Sequence, residues 1–388
     1  MEKIPLLLLF LGHVVVDTCQ GTLPVVLAKL KEVFDLSYFQ VGLAVMLLNV
    51  TSSVIQPIFG VISDRFRTGW FVPAGVLWTA LAMGLVGLAP SYPLVVALVG
   101  LAGLGTAAFH PRAMMAVYLV SGERRGLGAA IFSTGGNLGF ALGPVVGSLL
   151  VLGIGLSATT ALIPVGVALF LVIVFSPGDY LRRGDGRTAP RHRKQGGRAI
   201  IPWIPLIAVC LIVTLRSWVY MSTITYLPLL FADRGIELAS ASLILTMFLA
   251  AGAVAGLYGG HLSDRLGRKI VIVGSSLLFP LLAAALLLVQ GPWLWFFAGA
   301  SGAALLASFS VTIVLTQELL PDNLGLASGL VLGLGFGTGG LGAALSGYLA
   351  DHFGLDATFW VLALVPLISI PLVALIKARK EPPATLPA

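Results

Sequence analysis

Stretches of about 20 apolar residues recur along nearly the whole chain, separated by short polar turns. No other feature constrains the fold as tightly. A helix of that length crosses a hydrocarbon core about 30 Å thick, and in lipid a helix satisfies its backbone N–H and C=O groups internally. The pattern predicts twelve such helices, over 4–28, 38–62, 70–90, 93–121, 126–151, 155–176, 202–231, 238–262, 270–290, 293–319, 325–350 and 355–377. Only 10% of the 388 residues are charged and 58% are hydrophobic, whereas a soluble domain is about a quarter charged. The chain therefore reads as an all-α polytopic membrane protein. Its first apolar run is too long for a signal-peptide core, carries His13 and Asp17, and has no clear small-x-small cleavage site, so it is expected to remain as the first helix. Cys19 and Cys210 fall within predicted spans and suggest neither a disulfide framework nor a metal cluster.

The net charge of +7 could suggest a nucleic-acid partner, but the position of the charge decides otherwise. With the amino terminus inside, 18 of the 23 lysines and arginines fall on the cytoplasmic side. Lys29, Lys31 and Arg234 fall outside, and Arg112 and Arg216 fall within helices. That bias is the positive-inside rule, and it predicts both termini in the cytoplasm. Topology accounts for the basic charge, and no nucleic-acid partner is expected.

One long polar stretch, "SPGDYLRRGDGRTAPRHRKQGGRAI", is rich in Gly and Arg and reads as a linker loop. It divides the chain into an amino-terminal six-helix block (1–176), a cytoplasmic loop (177–201), a second six-helix block (202–378) and a cytoplasmic tail (379–388). The blocks repeat. Ser63-Asp64-Arg65 and Ser263-Asp264-Arg265 lie 200 residues apart, and Gly135, Gly139 and Gly147 match Gly335, Gly339 and Gly347 at the same offset. Leu23-Pro24 has a counterpart in Leu227-Pro228. A duplicated six-helix unit follows, giving two pseudo-symmetric bundles. In each repeat the Ser-Asp-Arg loop sets an acid beside a helix amino end, where the dipole favours it. Its arginines, Arg65, Arg265 and Arg268, are placed to pair with Glu123 or Asp322, so that Asp64, Asp264 and these partners would latch one conformation.

Charge within a span is costly and usually faces a cavity or a partner. His13, Asp17 and Gln20 are spaced i, i+4, i+7, which puts them on one face of the first helix. A buried carboxylate beside a histidine can hold and relay a proton, which is the chemistry of proton coupling. A polar pair that merely fixes helix packing is the bland reading, and a His/Asp metal site with His110 as third ligand is another. In the fourth helix His110 and Arg112 are separated by roughly 200° about the axis, so both cannot face one cavity. His110 is expected to face inward, and Arg112 to face another helix or the cytoplasmic side. In the seventh helix Arg216, Tyr220 and Thr223 repeat the i, i+4, i+7 stripe. A buried guanidinium needs an anion, which here is an acidic substrate or Asp17, unless it points away from the cavity.

The loop Gly260 to Lys269 matches G-x-x-x-D-[RK]-x-G-[RK]-[RK] at every position, and its first copy departs after Arg65. The chain in this respect resembles the major facilitator superfamily over its whole length. Gly139, Gly143, Pro144 and Gly147 look like the antiporter motif of drug-exporting members, although Ala130 and Ser148 stand where two further glycines occur. The set His13-x-x-x-Asp17-x-x-Gln20, Gln56-Pro57, Phe109-His110-Pro111 and Gly135-Gly136-Asn137 is similar to the fosmidomycin-resistance group. Two departures touch the same stripes. Arg112 stands where the group often has an acid, and Val16 where it often has Asn. The resemblance implies a monomeric, proton-driven exporter of small molecules in the bacterial cytoplasmic membrane, with Asp17, His13 and His110 handling protons. Gln20, Asn137, Arg216, Tyr220 and Thr223 are then expected to contact the cargo, which Arg216 suggests is anionic. No cofactor and no resident metal is expected. Uptake of an organic anion by symport and export of a metal cation remain as alternatives. An enzyme is not expected, because neither G-x-S-x-G nor H-E-x-x-H is present.

Overall fold

A computed structural model describes residues 1–177, 180–181, 202–320 and 324–376, except the side chains of 64, 65, 324–329, 332 and 336. The twelve predicted crossings are all present. They are α1 (Lys3–Phe34), α2 (Tyr38–Ser63), α3 (Phe71–Val86), α4 (Tyr92–Val120), α5 (Arg125–Gly153), α6 (Leu156–Phe175), α7 (Trp203–Asp233), α8 (Leu238–Leu266), α9 (Arg268–Leu288) and α10 (Trp293–Leu319), then α11 (324–353) and α12 (355–374). Helical geometry runs from α11 toward α12 until Gly354, whose φ of 82° and ψ of 161° break it in a region that favours glycine. The shortest crossing, α3, has 16 residues and rises about 24 Å. Two crossings are less regular than their hydropathy predicts. α2 contains a π-helical turn at Val50–Val54 just before Gln56-Pro57, and α10 is interrupted after Leu306.

The same pairings recur in the two halves. α1 packs most closely on α5, and α7 on α11; α3 sits on α4 and α6, and α9 on α10 and α12; α2 packs on α4, and α8 on α10. Lipid tails give apolar helices no hydrophobic reason to associate, so close van der Waals fit must do it. The α1–α5 seam shows how. A Cβ on Gly21 would lie 2.7 Å from the Phe140 carbonyl oxygen and 3.0 Å from the Gly143 Cα. Only two facing glycines allow that approach.

Between the halves, α2 packs on α11 and α5 on α8. An even number of crossings in each half puts the start of α1, the end of α6, the start of α7 and the end of α12 at one face, the terminal face. At the opposite, far face the two halves are hydrogen-bonded together. The amides of Tyr38 and Phe39, in the first turn of α2, donate to the two oxygens of Asp351 at 2.7 and 2.9 Å. The Tyr38 hydroxyl donates to Asp233 at 2.6 Å. The Tyr226 hydroxyl of α7 lies 2.9 Å from both the Tyr38 and the Ala343 carbonyls, across the seam. A carboxylate at a helix amino terminus meets unpaired N–H groups and the positive end of the dipole, so Asp351 caps α2 from the other bundle.

Of the predicted linker, only residues 177, 180 and 181 are among those described, and the predicted tail lies outside them. Tyr180 is buried, and the Leu181 carbonyl accepts from Arg112 of α4. This contact holds the beginning of the linker against the amino-terminal bundle.

Candidate functional site: a histidine–aspartate cluster

α1 and α4 meet around Asp17. His13 precedes Asp17 by one helical turn, and its Nε2 lies 3.3 Å from one carboxylate oxygen. His110 comes in from α4 and places its Nε2 3.4 Å from the other oxygen. The two imidazoles face each other, with Nε2 to Nε2 at 3.1 Å. Each ring is fixed from behind by a main-chain carbonyl. Nδ1 of His13 lies 2.7 Å from the Phe132 oxygen, and Nδ1 of His110 lies 3.0 Å from the Thr106 oxygen. The Phe132 ring also lies against His13, with centroids 4.1 Å apart. Gln20 completes the set, its amide donating to Asp17 at 3.2 Å. The side chains of His13, Asp17 and His110 keep 11, 15 and 20% exposure, so the cluster is enclosed but accessible. With one donor atom from each, the three lie within 4.8 Å of one another, close enough to share a metal ion.

The close seam of α1 and α5 leaves space for this arrangement at one glycine. A Cβ on Gly136 would meet the His13 imidazole and would lie 2.8 Å from Asp17 Oδ2. Asn137, the next residue, is exposed. Gly139, Gly143 and Gly147 lie against Val14, Gly21 and Thr22 of α1, and Pro144 is buried among them. From the other bundle α7, which carries Tyr220, packs on α1.

Two residues of the α7 stripe are placed differently from the sequence expectation. Arg216 faces neither Asp17 nor an open cavity. It is buried in the carboxy-terminal bundle, where it donates to Ser276 at 3.1 Å and to the carbonyls of Ala304 (3.4 Å) and Leu305. The reason lies in α10. Its helix breaks after Leu306, and carbonyls in the turn before a break lose helical donors, which the forked guanidinium supplies. Thr223 bonds its own helix at the Val219 carbonyl and lines a small apolar pocket with Phe248, Phe279 and Phe359, inside the same bundle. Tyr220 sits about 40° from Arg216 around the axis, and its ring packs against the apolar core.

Arg112 is fully buried and directed away from His110, toward the linker. At the terminal face Arg268 pairs with Asp264, donates to Ser263 at 2.6 Å and reaches Glu318 of α10 at 3.1 Å. Glu318 is thus the described acidic partner in this half, where the sequence pointed to Asp322, which lies outside the described residues. The side chains of Asp64 and Arg65 also lie outside them. Glu123 and Arg265 are exposed.

Sequence reasoning missed Phe132, Thr106 and Glu318, and the far-face set of Tyr38, Asp233 and Asp351. The first two act through main-chain carbonyls, which no side-chain pattern reveals. Glu318 was findable, because it is an acid only four residues before Asp322 in the sequence.

The family model described as Major Facilitator Superfamily matches residues 9–238 and 207–388. The chain is 30% identical over 371 residues to the fosmidomycin resistance protein of Escherichia coli strain K12, covering 93% of this chain and 89% of that one. It is 33% identical over 383 residues to an uncharacterized MFS-type transporter, YfnC, of Bacillus subtilis strain 168, covering 94% and 91%. Among solved structures, a bacterial homologue of the human lysosomal transporter Spinster, inward-facing and occupied, superposes with a TM-score of 0.77 at 15% identity, over 96% of each chain.

Proposed function

The chain belongs to the major facilitator superfamily, and we propose that within it the protein is a proton-coupled exporter of small molecules. One observation carries this reading. A carboxylate is held between two imidazoles inside apolar spans, on α1, which also packs on α7 of the other bundle. Such a cluster binds and releases a proton, and its position between the bundles lets their relative motion decide which face exchanges it. Gln20, Asn137 and Tyr220 are the cargo contacts in this proposal. Arg216 and Thr223 are left out of it, because their polar atoms are engaged within the carboxy-terminal bundle.

Export is favoured over uptake by two considerations. The Gly-Pro pattern of α5 resembles that of exporting members, and a relative matching over most of its length bears the name fosmidomycin resistance protein. Uptake of an organic anion would want a cation facing the cargo, and Arg216 faces elsewhere. With the termini in the cytoplasm of a bacterial cell, as the lysine and arginine bias predicts, the hydrogen-bonded far face is the external one, and the protein acts as a monomer. The Asp264–Arg268–Glu318 set lies within the carboxy-terminal bundle, and in this proposal it holds the cytoplasmic ends of α8, α9 and α10 together as the surface against which the other bundle closes.

A transport assay in cells tests direction. Cells expressing the chain and loaded with radiolabelled fosmidomycin should lose it faster than control cells, and a protonophore should abolish the difference. Faster accumulation instead would establish uptake.

A further inference from the structure

The His13–Asp17–His110 cluster has the organisation of a ligand set. Each Nδ1 points at a carbonyl oxygen, which can only accept, so each neutral ring carries its hydrogen on Nδ1. Both Nε2 atoms are then lone pairs, and they face each other at 3.1 Å. The carboxylate oxygens stand 3.3 and 3.4 Å from them. Acceptors that converge in this way need a positive centre among them. A proton serves one nitrogen–nitrogen or nitrogen–oxygen axis at a time. A metal ion serves all three residues together.

The spacing suits one class of ion. Bonds of about 2.0–2.2 Å in a tetrahedron set neighbouring ligand atoms roughly 3.4 Å apart. Imidazole nitrogen suits zinc and similar first-row ions, and is a poor partner for magnesium or calcium. Ligating histidines characteristically donate their other N–H to a carbonyl or carboxylate, as both do here. The residual exposure of all three side chains provides an entry path and a free fourth position. From these observations we infer that His13, Asp17 and His110 form a binding site for a divalent transition-metal ion of the zinc class. Ion and proton occupy the same nitrogens, so a bound ion holds the cluster in one state and stops proton exchange. Binding needs only the donors and no transport cycle, so it stands or falls separately from the exporter reading.

The test uses full-length, tag-free, metal-stripped protein in nanodiscs, titrated with Co²⁺ and read by the visible absorption that tetrahedral cobalt gives. One ion per chain is expected, displaced by Zn²⁺. His110→Gln should weaken it on the order of 10- to 100-fold or more, and His261→Gln with His352→Gln, both exposed residues, should leave it unchanged. X-ray absorption of the zinc-loaded wild type needs no variant and should find two imidazoles and carboxylate oxygen. An absent tetrahedral signal, full affinity in His110→Gln, or an oxygen-only shell would overturn the site. Fosmidomycin-driven proton movement in metal-free liposomes is the separate readout of the exporter reading, and adding Zn²⁺ there should abolish it.

Discussion

Gly136 is a single residue on which the cluster depends. Its missing side chain is the space that the His13 ring and Asp17 occupy, so Gly136→Ala should displace them. The expected outcome is a folded protein, by its melting profile, whose cargo-linked proton movement is lost. Arg216 makes the opposite case. Its guanidinium satisfies carbonyls at the α10 break, so Arg216→Ala leaves buried acceptors unpaired, at about 1–3 kcal/mol each. Thermal denaturation should show a clearly lowered midpoint, with anionic and neutral cargoes losing transport alike. A selective loss of anionic cargo would return Arg216 to the binding site. These two residues also mark what a sequence reveals at this scale. The i, i+4, i+7 spacing set Arg216 and Tyr220 about 40° apart around the axis, but spacing says nothing of what lies opposite. The partner of Arg216 is created by a helix break in "ALLASFS", where no proline announces it.

Among the elements, α2 and α11 carry the closed far face. Asp351 holds the first two amides of α2, and Tyr38 is gripped from three sides by Asp351, Asp233 and Tyr226. Hydrogen bonds to a charged group contribute roughly 1.5–3 kcal/mol each, enough to shift a two-state equilibrium by an order of magnitude. Asp351→Ala should therefore favour the state with the far face open. Spin labels at Val33 and Glu237, on a background lacking Cys19 and Cys210, would report a larger separation in the variant than in the parent. An unchanged distance distribution would mean that apolar packing alone shuts this face. The helices themselves were legible because an apolar run of fixed length has one stable form in lipid. The π turn of α2 and the break in α10 were not, since both depend on neighbouring helices accepting freed backbone groups.

For the whole molecule, duplication was the most informative signal. Glycines at one offset pointed to a duplicated unit, and in the structure they lie on α5 and α11, which make the equivalent α1–α5 and α7–α11 seams. The halves then diverged in chemistry. The amino-terminal bundle holds the histidine–aspartate cluster beside its seam, and the carboxy-terminal bundle spends its buried arginine on its own backbone. On the proposed function, that asymmetry would place the proton seat on one wall of a rocking molecule. The facing of His13 and His110 needed the packing of α4 against α1, which no single-helix pattern contains. The central claim is that this seat couples cargo to protons. Purified protein in metal-free liposomes, with a pH-sensitive dye inside and an imposed pH gradient, tests it directly. Fosmidomycin should drive proton movement in the wild type and none in Asp17→Asn that remains folded. Equal proton movement in both proteins would contradict the account.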